Sequence, residues 1–210
     1  LSFPTNVAVD GSGNVYIADG GNHCIRKIDV SGIISTFAGG GSSGVGDGGL
    51  ATAAQLLIPY GVAVDVSGNV YISDAVDNRI RKVNASNIIT TIAGNGTSGY
   101  TGDGAAATLA QISPNGIGID VSGNIYFADA TQRIRKVNTS GIISTVAGNG
   151  TSGFSGDGSA ATTGKLANPN AVAIDASNNL YIADLMNNRV RKITAPPSTG
   201  TEQWVISNSE

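Results

Sequence analysis

Cysteine and histidine each occur once in the 210 residues, as Cys24 and His23. A single thiol excludes an internal disulfide framework. The pair also falls short of the three or four ligands of a zinc site, and neighbours on a strand point to opposite faces. His23 therefore reads as a turn residue and Cys24 as a small residue, and neither a metal nor a nucleophile role is assigned. Charge is scarce too. Charged residues make up 13% and the net charge is −3, which leaves no field to attract nucleic acid or an anionic membrane surface. No apolar run approaches the length that spans a bilayer, so membrane insertion is not expected. No secretory leader is visible, but Leu1 opens inside a repeat, so that absence carries no information.

Glycine and periodicity are present in excess. There are 30 glycines, about double the average usage, which suits short strands joined by tight turns. Pro4, Pro59, Pro114 and Pro169 recur at a constant spacing. So do Asp10, Asp65, Asp120 and Asp175, and so do Tyr16, Tyr71, Tyr126 and Tyr181. Asp19, Asp74, Asp129 and Asp184 follow the same period. The spacing slips by one at Ala130-Thr131-Gln132, in a turn that tolerates a deletion.

Each unit of about 55 residues reads as four strands. In the second unit these are Val62-Ala63-Val64, Val70-Tyr71-Ile72-Ser73, Arg79 to Val83 with period-two alternation, and Ile88 to Ala93. Four short strands with short connections make one propeller blade, which buries its two faces only against neighbours. The middle of the first strand is always small (Ala8, Ala63, Gly118, Ala173), as crowding about a central axis would require. The second strand is apolar on both faces, as a strand sandwiched between blades should be. A Gly-rich loop ending in Gly-Asp-Gly follows the fourth strand three times, and an Ala-rich stretch follows it. Asp47, Asp103 and Asp157 stand where a helix N-cap belongs, which predicts a short helix.

The third strand carries a hallmark. It reads Asn22-His23-Cys24-Ile25-Arg26-Lys27, Asp77-Asn78-Arg79-Ile80-Arg81-Lys82, Gln132-Arg133-Ile134-Arg135-Lys136 and Asn187-Asn188-Arg189-Val190-Arg191-Lys192. These runs resemble the NHL repeat over about residues 3–193, and the Gly-Asp-Gly loops look like those of bacterial members. The resemblance implies a β-propeller, usually six-bladed, that acts as a binding platform. A related peptide-amidating lyase uses a zinc propeller, but its zinc histidines have no counterparts in this sequence.

The charges leave little for catalysis. Eleven of the 12 Lys and Arg lie in the four runs just quoted, Lys165 being the exception. Eleven of the 15 acidic residues are locked to the repeat, leaving Asp29, Asp77, Glu202 and Glu210. A catalytic site needs different groups converging at one point, whereas periodic charges suit strand-end turns, loop caps and Arg–Asp pairs between strands or blades. No catalytic residue is assigned. Each Gly-Asp-Gly loop offers one carboxylate, too few for calcium, and lacks the lysine of a phosphate-binding loop. No cofactor is expected. The turn after the second strand and the loop after the fourth should share one face, which yields candidate binding residues: Asp19, Asp74, Asp129, Asp184, Tyr100 and Phe154. Tyr100 and Phe154 fill one loop slot, held by Val45 in the first copy, and either anchor a partner or fold back over the blade.

The expected fold is therefore all-β, a propeller of four-stranded antiparallel blades over 1–194. The blades fall at about 4–57, 58–112, 113–167 and 168–194. Residues 195–210 read as a linker or tail, although Glu202 to Asn208 could pair as a last strand. Part of a six-bladed ring is expected, with a closed four-blade ring as the alternative. Low charge and abundant Asn, Ser, Thr and Gly suggest an extracellular or cell-surface bacterial protein. Its four Asn-x-Ser/Thr sequons need no cause beyond composition. The leading functional expectation is a non-enzymatic scaffold for protein or glycan. The alternatives are part of a lyase or hydrolase whose site lies in other blades, and a structural spacer.

Overall fold

A computed structural model describes residues 1–194 and 205–208. Within them the chain forms four antiparallel four-stranded sheets in sequence order. Blade 1 holds β1 (Pro4–Val9), β2 (Val15–Asp19), β3 (Cys24–Ile28) and β4 (Ile34–Gly39). Blade 2 holds β5 (Pro59–Val64), β6 (Val70–Asp74), β7 (Arg79–Val83) and β8 (Ile89–Ala93). Blade 3 holds β9 (Pro114–Ile119), β10 (Ile125–Asp129), β11 (Arg133–Val137) and β12 (Ile143–Ala147). Blade 4 holds β13 (Pro169–Ile174), β14 (Leu180–Asp184), β15 (Arg189–Thr194) and β16 (Val205–Asn208). The four-stranded antiparallel blades are those expected from the repeat. One boundary needs correction. Residues 205–208 pair with β15, so they are the outer strand of blade 4 and not a linker or tail. The rest of that segment lies outside the described residues.

Local chemistry explains the hairpins. In blade 1 the turn between the first two strands is held by Asp10, whose Oδ1 accepts from the Ser12 and Asn14 amides at 2.9 Å each. Its Oδ2 accepts from the Asn14 side chain and the Tyr16 hydroxyl. Asp65, Asp120 and Asp175 repeat this arrangement. The residue just before the third strand is left-handed in every copy: His23, Asn78, Gln132 and Asn188. Asn tolerates that conformation better than most side chains, which accounts for its place in the hallmark run. The loop glycine Gly94 is required more strictly. Its φ is +88°, and a Cβ there would lie 2.1 Å from the Asn78 carbonyl oxygen.

The core lies between blades. Tyr16, Ala18, Ile25 and Ala38 of blade 1 pack against Val62, Val70, Ile72, Val83 and Ile89 of blade 2. The same slots meet between blades 2 and 3 and between blades 3 and 4. The first strands of successive blades also lie against one another, and their small residues permit that approach. A Cβ on Gly118 would come within 2.6 Å of the Ile174 side chain in the next blade. The Ala-rich stretches form single 3-10 turns, Ala107–Leu109 and Ala161–Thr163. Their N-caps are Ala106 and Ala160, with no side-chain cap bond, so the expected capping by Asp103 and Asp157 does not occur. Those aspartates are spent elsewhere.

Candidate functional site

Each Gly-Asp-Gly loop reaches across to the following blade. Asp47 takes Arg81 Nη2 at 2.8 Å, Asp103 takes Arg135 at 2.7 Å, and Asp157 takes Arg191 at 2.5 Å. The three arginines are fully buried. Arg135 and Arg191 also face a buried carboxylate of their own blade, Asp129 at 3.8 Å and Asp184 at 3.4 Å. The loop backbones then clip to the outer strand of that next blade. Gly48 N donates to Ile89 O and Ile89 N donates to Gly49 O. Gly104 and Ala105 do the same at Ile143, and Gly158 and Ser159 at Ile206. A buried guanidinium needs a counter-charge, and the neighbouring blade supplies it, so each loop acts as a latch.

Asp19, Asp74, Asp129 and Asp184 were expected on an exposed face. The structure buries all four. Asp74 accepts from the Leu57 and Ile58 amides, Asp184 from Ala167, Asp19 from Ser2, and Asp129 from Thr131. They tie down the chain around each blade entry and present no surface to a partner. Burial raises the pKa of Asp74 and Asp129, against the opposing pull of these hydrogen bonds. For Asp103 burial also pushes upward, but the Thr145 hydroxyl, Arg135 and Tyr100 outweigh it and hold the carboxyl below its ordinary value.

Tyr100 and Phe154 remain accessible, at 37% and 40%. The Tyr100 ring stacks on Arg133, with the guanidinium carbon 3.5 Å from the ring centroid, and Arg135 lies 4.6 Å away. Its hydroxyl donates to Asp103 and accepts from Thr145. Phe154 covers Arg189 and Arg191 at 4.1 and 4.6 Å. Each ring thus folds over the latch of the next blade while leaving part of itself in solvent. Val45 takes the slot over blade 2, where Arg79 pairs with Asp77 at 2.8 Å instead. The loops and the turns after the second strands do share a face: Arg79 and Arg133 bond the Asn95 and Asn149 carbonyls.

One contact residue escapes the periodic reading. Tyr60 stands where the other copies have Thr5, Asn115 and Asn170, and its hydroxyl donates to the Asn170 side chain at 2.7 Å. That bond joins blades 2 and 4, past blade 3. The signal was available in the sequence, as the one aromatic in a slot otherwise filled by Thr and Asn. His23 is structural: it bonds the Leu57 carbonyl and ties blade 1 to the entry of blade 2. Cys24 is a buried free thiol, its pKa raised by burial. No three His, Cys, Asp or Glu converge as a metal site among the described residues. No helix among them is long and apolar enough to cross a membrane.

Stacked four-stranded blades with loop latches define a repeat β-propeller. The family model "Teneurin NHL domain" matches residues 39–101 and 96–153, and "NHL repeat" matches residues 1–28. The chain belongs to the NHL-repeat family, in its teneurin NHL-domain branch. Teneurin-1 of Mus musculus is 30% identical over 92% of this chain, which spans only 8% of that relative. A Bacteroides thetaiotaomicron protein superposes with a TM-score of 0.69 at 18% identity, over 97% of this chain and 47% of that one. Virginiamycin B lyase from Staphylococcus aureus gives 0.59 at 20% identity, over 99% and 55%.

Proposed function

We propose that the chain is a non-enzymatic binding scaffold, extracellular or at a cell surface, that recognises protein or glycan on its loop face. The observation that carries this reading is the pair of stacked rings. Tyr100 and Phe154 are half exposed yet fixed on arginines, so a partner would dock on aromatics whose rotamer freedom is already spent. The absorption of the periodic charges into latches and turns supports it, because few groups remain for catalysis. Low charge and a composition rich in Asn, Ser, Thr and Gly support a secreted bacterial source.

A glycan and surface-protein array tests the proposal. Reproducible binding that Tyr100→Ala with Phe154→Ala abolishes, in a chain that still melts cooperatively, is the expected result. Binding indifferent to both rings would refute the assignment of this face, and no binding at all would favour a spacer. The likeness of fold to a lyase keeps one second reading, an enzyme whose site lies in further blades. Turnover of peptide-amide precursors or lactones by this chain alone would overturn the scaffold reading.

A further inference from the structure

The three interfaces between blades repeat one design, but the middle one holds a cleft. About 470 Å3 lies open between blades 2 and 3. Its walls include Tyr71, Lys82 and Ile92 of blade 2 and Ile125, Val137 and Asn138 of blade 3. At the corresponding place between blades 1 and 2, Phe37 stands in the slot of Ile92. Its ring packs edge-on against Tyr16, with centroids 5.0 Å apart. Between blades 3 and 4, Asn178 replaces Gly123 at the rim and its side-chain oxygen is buried. The middle interface has neither filling. Ile92 is less bulky than a phenyl ring, and Gly123 brings no side chain.

The cleft also holds unspent polar groups. The Lys82 ammonium lies 5.3 Å from the Tyr71 ring centroid and joins no ion pair among the described residues. Asn138 accepts from the Ser140 and Ile142 amides through Oδ1, which leaves its Nδ2 without a partner among the described residues. The carboxylates of the flanking turns, Asp65 and Asp120, have both oxygens taken by their own turns. We propose that the cleft binds a small aromatic carboxylate. The ligand's ring takes the place against Tyr71 that Phe37 takes against Tyr16, and its carboxylate accepts from the Lys82 ammonium and the Asn138 amide. Apolar walls with a few placed donors, at this volume, are what a small-molecule site requires.

Phenylacetate is the probe, titrated into the full chain and read by calorimetry and by methyl resonances. Expected is a dissociation constant of about 0.1–1 mM, as suits a ligand of about ten heavy atoms. The Ile92 and Ile125 methyls should shift, and Ile72, in the interface of blades 1 and 2, should not. Ile92→Phe gives the middle interface the filling of the first, and should abolish binding at an unchanged or higher melting temperature. Lys82→Met should weaken phenylacetate about tenfold and leave neutral phenylacetamide within about twofold. Tyr100→Ala with Phe154→Ala should bind phenylacetate as the parent chain does. No methyl shift at about 10 mM phenylacetate, binding that survives Ile92→Phe, or phenylacetamide bound as tightly as phenylacetate overturns the proposal. Loss of binding in the double alanine variant would place the ligand on the loop face and overturn it as well.

Discussion

The two inner blades and the two outer ones carry the same pattern but bury it differently. In β6 and β10 every residue is buried, on both faces of the strand. In β2 alternate residues, Val15 and Ile17, are only half-buried, and these are the ones that face away from blade 2. In β14 the half-buried pair is Tyr181 and Ala183, on the opposite face. Strand residues alternate sides, so a missing neighbour uncovers every second position. The apolarity of the second strand is thus a property of the stack and not of the single blade, as expected for quasi-one-dimensional repeats.

The strongest way to sharpen that contrast is to cut the same slot in both regions. Ile134 is fully buried between blades 3 and 4, while its counterpart Val190 is 49% exposed. Ile134→Ala should cost about 2–5 kcal/mol in urea unfolding, and Val190→Ala within about 0.5 kcal/mol. Equal losses would mean that the open end is covered in solution. Next in size is Gly94→Ala, where the new Cβ meets the Asn78 carbonyl. A loss of about 3 kcal/mol is expected, measured by thermal melting against Gly104→Ala, where nothing lies within 4 Å; both glycines have positive φ, so the difference isolates the clash.

Acid gives a smaller effect. The Asp103 carboxyl is held below 3.8, so its contribution is complete above that pH and disappears as pH falls through the folded value. Asp103→Asn should therefore flatten the stability profile below about pH 4. Asp74 and Asp129, raised by burial, act in the opposite sense and favour the folded state as they protonate. A steeper acid limb in Asp103→Asn would reverse the assigned sign. Smallest is Tyr100→Leu, which removes the stack on Arg133 and should cost about 0.5–1 kcal/mol in melting experiments. Leucine in the corresponding slot of the first loop, Val45→Leu, removes no stack and should be near neutral.

The blade pattern was legible because turns and strands leave local marks: the recurring Asp10 and Asp65, the run from Asn78 to Lys82, the alternation of Arg79 to Val83. The latches were legible in part. Arg–Asp pairs between strands or blades were expected of the periodic charges, and the structure forms them. Which aspartate takes which arginine was not legible. Asp103 before an alanine run has the local look of an N-cap, and only the three-dimensional stack brings it to Arg135 in another blade. A clue exists in hindsight, since each loop Asp and its arginine recur together with the period. Burial of Asp19, Asp74, Asp129 and Asp184 was missed for a related reason, because strand-end carboxylates read as surface groups until backbone amides converge on them. The outer strand Val205–Asn208 carries no repeat signature, since pairing through backbone hydrogen bonds demands none.

That periodic charge latches blade to blade is the claim on which the rest depends. A double-mutant cycle on Asp103→Asn and Arg135→Met, followed by urea unfolding, measures it directly. A coupling energy of about 1–3 kcal/mol is predicted. Losses that add within about 0.3 kcal/mol would contradict it.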